Sequence, residues 1–125
     1  MRDEKHIILY VDDDEDYRFA VRQILEAAGY EMLEASDSEE GLRVLREQCP
    51  DLVILDMMME EVDAGIALLK QIREVNASLP IYLLSSAGDT LAMTTDTAEL
   101  GFDGVFQKPI GAERLLAVIQ AKLGS

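Results

Sequence analysis

Four short runs of β-prone apolar residues mark the chain at intervals: Ile7-Ile8-Leu9-Tyr10-Val11, Leu52-Val53-Ile54-Leu55, Ile81-Tyr82-Leu83-Leu84 and Gly104-Val105-Phe106-Gln107. Continuous apolar runs of this length are the mark of strands buried on both faces of a parallel sheet. A fifth, Glu31-Met32-Leu33-Glu34-Ala35, is more polar and alternates less cleanly, which predicts a strand nearer an edge. Between the runs, apolar residues recur at helical spacing. Tyr17, Ala20, Val21, Ile24, Leu25 and Ala28 predict a first helix over 15–28, closed by Gly29 as a left-handed cap. The second is capped by Ser36, Asp37 or Ser38, turns Leu42, Val44 and Leu45 inward, and stops before Pro50. After a loop at Met57 to Val62, Asp63 is the expected cap of a helix that buries Ile66, Leu69, Ile72 and Val75. The fourth, about Thr90 to Leu100, contains Thr90, Thr94, Thr95 and Thr97 and should be the weakest by propensity. Leu115, Leu116, Ile119 and Leu123 give the last helix its apolar stripe.

This βα alternation predicts an α/β fold: a doubly wound five-stranded parallel sheet with right-handed crossovers and helices on both faces. A closed barrel needs about 250 residues, twice the 125 present. In the flavodoxin-like order 2-1-3-4-5 the winding reverses between strands one and three, where such sheets open a binding crevice.

Length and a 49% hydrophobic content fit one globular domain over 1–125, able to bury roughly two-thirds of its unfolded surface. A net charge of -14 would repel a phosphate backbone, so nucleic-acid binding by this chain is not expected and its partners should be proteins. One cysteine, Cys49, rules out an internal disulfide; it reads as a small packing residue beside a turn. Neither a signal peptide nor an apolar run of membrane-spanning length is evident, and a cytoplasmic location is expected. His6, without a nucleophile nearby in sequence, reads as a surface residue, and Met57 to Met59 as adaptable loop packing.

The candidate chemistry lies where the strands end. The first runs into Asp12-Asp13-Asp14, the third into Asp56, the fourth into Ser85-Ser86 and the fifth into Lys108-Pro109. Singly, each has a plainer role: Asp14 as a helix cap, Ser85 bonded to backbone. Together they bring carboxylates, hydroxyls and an amine to one edge of one sheet. Asp12, Asp13 and Asp56 repel one another unless a cation neutralises them, and a hard all-oxygen set suits Mg²⁺ better than Ca²⁺. An Asp carboxylate can also attack phosphorus, with Mg²⁺, Lys108 and Ser85 each covering one phosphoryl oxygen.

These pieces, with Arg18 after the acids and Leu55-Asp56-Met57-Met58-Met59, resemble the receiver domain of two-component response regulators over essentially the whole chain. The resemblance implies that Asp56 accepts a phosphoryl group from a histidine kinase or histidine phosphotransfer protein. It implies Mg²⁺ held by Asp13, Asp56 and the Met58 carbonyl, with Asp12 acting through water. Lys108 would pair with the phosphoryl group, Ser85 would fill the family's Thr/Ser position, and the Lys108-Pro109 bond would be cis. Such a chain catalyses its own phosphorylation and dephosphorylation, with no turnover on an external substrate.

The chain departs from the family pattern in three places. Glu60 to Gly65 lacks the usual Pro and is one residue longer, Ser86 stands where Ala is common, and the aromatic switch position is Val105 with Phe106 beside it. Movement of Phe106, or repacking around Val105, is expected to replace the usual aromatic motion. The output, and dimerisation if it occurs, is expected at the surface of the Thr90–Leu100 helix, the fifth strand and the last helix. A haloacid-dehalogenase-like phosphatase would need a second Asp where Met58 stands, and a flavodoxin a phosphate loop where the acids stand. The alternative that survives is a degenerate receiver acting as a constitutive protein-binding module.

Overall fold

A computed structural model of the chain describes residues 6–56, 62–85, 103–107 and 111–123. Five parallel strands, β1 (Ile7–Val11), β2 (Glu31–Ala35), β3 (Leu52–Asp56), β4 (Ile81–Ser85) and β5 (Gly104–Gln107), form one sheet in the order β2-β1-β3-β4-β5. The expected doubly wound topology is therefore present, with the more polar β2 at an edge. Among the described residues the helices are α1 (Glu15–Ala27), α2 (Ser38–Gln48), α3 (Val62–Val75) and α4 (Ala112–Leu123). The helix expected over Thr90–Leu100 lies outside the described residues. None of the described helices is long and apolar enough to cross a membrane.

Strand alternation sends the apolar side chains to two cores. Leu9, Val11, Val53, Leu55, Ile81 and Leu83 pack with Leu45 of α2 and Leu68, Leu69 and Ile72 of α3. On the other face Ile8, Tyr10, Ile54, Tyr82, Leu84 and Phe106 pack with Val21 and Leu25 of α1 and Leu115 and Ile119 of α4. Val75, placed on the apolar stripe of α3 by spacing, is exposed at the last position of the helix.

Local chemistry fixes the helix ends. Asp14 caps α1, its Oδ1 accepting from the N–H groups of Asp16 and Tyr17 at 3.0 and 3.3 Å, and Gly29 follows at φ +93°. Of the three candidate caps for α2, Asp37 accepts from the Glu40 N–H at 2.8 Å. Glu40 in turn accepts from the Ser36 N–H and hydroxyl, which hold its carboxyl below the usual range. At the other end of α2 the Pro50 ring disfavours helical geometry for the residue before it. Cys49 takes a left-handed conformation, φ 51°, and is exposed, so it turns the chain and does not pack as expected. Helix α3 begins at Val62, which places Asp63 in its first turn and not before it.

An aspartate stands immediately before β3 and another before β5, and each clasps the first residue of the neighbouring strand. Asp51 N–H donates to the Ile7 carbonyl at 2.7 Å while its Oδ2 accepts from the Ile7 N–H at 2.7 Å. Asp103 repeats the arrangement with Ile81, at 2.7 and 2.8 Å. Asp103 also meets Arg73 of α3 at 3.2 Å and Lys122 of α4 at 3.6 Å. These clasps start the β1–β3 and β4–β5 pairings in register, and register decides which residues meet at the opposite edge. An Asp103→Ala variant should lose about 1.5–3 kcal/mol in urea unfolding, because the acceptor of a charged network is removed, with Asp103→Asn losing less.

Candidate functional site

Strands β1 and β3 are neighbours, and Val11 stands opposite Leu55. The next residues, Asp12 and Asp56, therefore leave the carboxyl ends of the two strands side by side. Strand alternation puts both on the same face as Tyr10 and Ile54. Asp12 and Asp56 are 0% and 2% exposed, whereas Asp13 faces solvent. One carboxylate oxygen from each of the three lies within 4.8 Å of the others. The acids picked out from sequence thus come together, two walled in and one at the rim.

Asp12 is held from several sides. Its Oδ2 accepts from the Tyr10 phenol at 2.5 Å and its Oδ1 from the Asp14 N–H at 2.9 Å. Its own N–H donates to the Ala35 carbonyl at 3.0 Å, and its carbonyl accepts from Arg18 Nη1 at 2.6 Å. Arg18 Nε donates to Glu34 of β2 at 3.0 Å, and Arg22 Nη2 reaches the other oxygen of Glu34 at 2.7 Å. Burial, then the hydrogen bond to Asp12 and the charges of Asp12 and Asp56, push the Tyr10 phenol far up, so it stays a proton donor.

The consecutive acids therefore divide their work: Asp12 is buried, Asp13 lines the rim, and Asp14 caps α1. Tyr10 was missed in the sequence because it counts as one more apolar residue of β1. The usable signal was its spacing, two residues before Asp12 and hence on the same strand face. The bridge made by Arg18 also escaped, since it depends on β2 lying beside β1.

Asp56 pairs with Leu84, and Ser85, the last residue of β4, pairs with Gln107. Ser85 is thus placed at the same sheet edge, one step beyond the neighbour of Asp56. Lys108, the Lys108-Pro109 bond, Met58 and Ser86 lie outside the described residues. Phe106 is buried against Tyr82, with ring centroids 5.4 Å apart and an interplanar angle of 34°. It belongs to the core beneath α1 and α4.

A parallel sheet of order 2-1-3-4-5 with an acid trio at its switch point defines a flavodoxin-like α/β protein with an acidic crevice. The response regulator receiver domain family matches residues 8–120, and the chain belongs to that family, the phosphoacceptor component of two-component signalling. It is 37% identical over 119 residues to the probable transcriptional regulator ycf27 of Guillardia theta, covering 95% of this chain and 46% of that protein. It is 34% identical over 116 residues to the alkaline phosphatase synthesis transcriptional regulatory protein PhoP of Bacillus subtilis, covering 93% and 48%. The chain thus spans about half the length of the curated relatives it matches. Among solved structures, a putative response regulator from Chloroflexus aurantiacus superimposes with a TM-score of 0.86 at 28% identity, over 98% of this chain and 100% of that one. The receiver domain of NtrX from Brucella abortus gives 0.83 at 32% identity, over 94% and 98%.

Because Arg18 ties Asp12 to Glu34, Arg18→Ala should lower the melting temperature by roughly 3–8 °C. Arg18→Lys should restore only part of the loss in the same thermal scan, since one ammonium does not reproduce the fork.

Proposed function

We propose that Asp56 is the phosphoacceptor and that Asp12, Asp13 and Asp56 hold a Mg²⁺ ion required for the transfer. The observation that carries this reading is the convergence of three carboxylates, two of them buried, at the switch point of the sheet. The donor set fits the ion. Three carboxylate oxygens within 4.8 Å of one another form the hard, all-oxygen set that such an ion would take. When bound, Mg²⁺ neutralises charge on the carboxylates and on the incoming phosphoryl oxygens.

Transfer then needs mainly positioning. A carboxylate oxygen of Asp56 attacks phosphorus in line, the new O–P bond forming as the bond to the donor's imidazole nitrogen breaks and that nitrogen keeps the electron pair. Asp13 and the Met58 carbonyl complete the inner ligands, Asp12 acts through water, Lys108 pairs with the phosphoryl group and Ser85 bonds one of its oxygens. The donor is a histidine kinase or a histidine phosphotransfer protein, and the change is read by a protein at the surface of the Thr90–Leu100 helix, β5 and α4. Two relatives of about twice the matched length are named as transcriptional regulators, which supports a linked output domain. No finding favours the degenerate receiver.

Acetyl phosphate should label the chain at one residue only when Mg²⁺ is present, and Asp56→Asn should abolish the acid-labile, base-labile adduct. Undiminished labelling of that variant would remove the assignment. Asp13→Ala should weaken Mg²⁺ binding more than Asp12→Ala in a calorimetric titration, since only the former removes an inner ligand. Equal losses would show that the two roles are misassigned.

A further inference from the structure

Tyr10 is an odd choice for its position. The other residues of β1 are aliphatic, the site is fully buried, and a phenylalanine would fill the space without a hydroxyl to satisfy. A buried hydroxyl is costly unless it is bonded. The phenol of Tyr10 finds its partner in Asp12 Oδ2, at 2.5 Å, one of the three acids of the crevice. The other oxygen of the same carboxylate is engaged by the Asp14 N–H at 2.9 Å. With one donor on each oxygen, the carboxylate cannot turn about its Cβ–Cγ bond without losing a hydrogen bond. The plane of the carboxylate is therefore fixed.

Fixed direction matters unequally to different cations. Mg²⁺ demands near-ideal octahedral geometry and keeps waters whose orientation the surrounding acids must match, whereas Ca²⁺ accepts six to eight oxygens in flexible arrangements. We propose that Tyr10 is a positioning residue of the cation site: its phenol locks the Asp12 carboxylate in one plane and thereby sets a preference for Mg²⁺ over Ca²⁺. This rests on the reading of the acid trio as a divalent-cation site. Tyr10 touches neither the ion nor the phosphoryl group and acts through Asp12 alone.

The test is calorimetric titration of the chain with Mg²⁺ and, separately, Ca²⁺. Tyr10→Phe keeps the ring and should weaken Mg²⁺ binding about tenfold or more, while Ca²⁺ binding changes less, so that the ratio of the two affinities falls. In an Asp12→Ala background the same substitution should have little further effect on Mg²⁺, because the group it positions has gone. Mg²⁺ should also produce a near-ultraviolet tyrosine difference band in the native chain, and the band should be missing from Tyr10→Phe at saturating Mg²⁺ while its far-ultraviolet circular dichroism stays native. Equal losses for both cations, unchanged or tighter Mg²⁺ binding, an undiminished effect in the Asp12→Ala background, or an undiminished tyrosine band in folded Tyr10→Phe would overturn the proposal while leaving the cation site standing. Failure of the native chain to bind either ion would instead remove the site itself, and this inference with it.

Discussion

Two carboxylates buried side by side, Asp12 and Asp56, are the constraint around which this molecule is built. Taking an ionised carboxylate out of water costs several kcal/mol even after relaxation, and a like charge next to it adds to that cost. Local donors offset part of the penalty on Asp12: the Tyr10 phenol, the Asp14 N–H and the positive end of α1 that begins beyond it. Arg18 adds a guanidinium on the Asp12 carbonyl and passes the tension to Glu34 on the next strand. Such a site is unfavourable as pure architecture. Buried ionic groups can often be replaced by well-packed apolar residues at little cost, but removing Asp12 would leave the buried Tyr10 phenol without its acceptor, so both residues are best understood through the chemistry they permit.

The opposite edge of the sheet makes that proximity possible. Asp51 and Asp103 each bond both ways to the first residue of an adjacent strand, Ile7 and Ile81. A slip of one residue in β1 against β3 would turn Asp12 from one face to the other and separate it from Asp56. The aspartate clasps at the amino ends therefore serve the crevice at the carboxyl ends, a strand length away. Arg73 and Lys122 converge on Asp103 and bind the β4–β5 end of the sheet to helices from both layers.

Most of this frame could be read from the sequence because burial on both faces leaves a plain record: continuous apolar runs, each ending on a polar residue. The acids at the carboxyl ends were legible for the same reason, since strand order alone brings Asp12, Asp13 and Asp56 together. What escaped depends on side chains meeting across strands. Asp51 reads as a helix breaker's neighbour until β1 is laid beside β3, and Tyr10 disappears into the apolar count of its strand. Cys49 was misread because composition says small and apolar, while Pro50 behind it and the absence of a glycine make it the residue that must turn left-handed. Val75 shows the limit of periodicity, which marks a stripe along a helix but not which of its residues the rest of the fold covers.

The parity of β5 bears on how a signal leaves the crevice. Phe106 lies on the core face with Tyr82 and Leu84. Gly104 makes the aromatic packing possible: a Cβ there would lie 2.8 Å from Tyr82 Cε2, so the tyrosine ring occupies the space a side chain would take. Tyr82 in turn packs on Phe106, and both rings are buried. For Phe106 to swing outward, the chain would have to break this packing and leave a void under α1 and α4, a change that costs several kcal/mol for a buried aromatic ring. Of the two substitutes for an aromatic lever, Phe106 is thus the one the packing opposes.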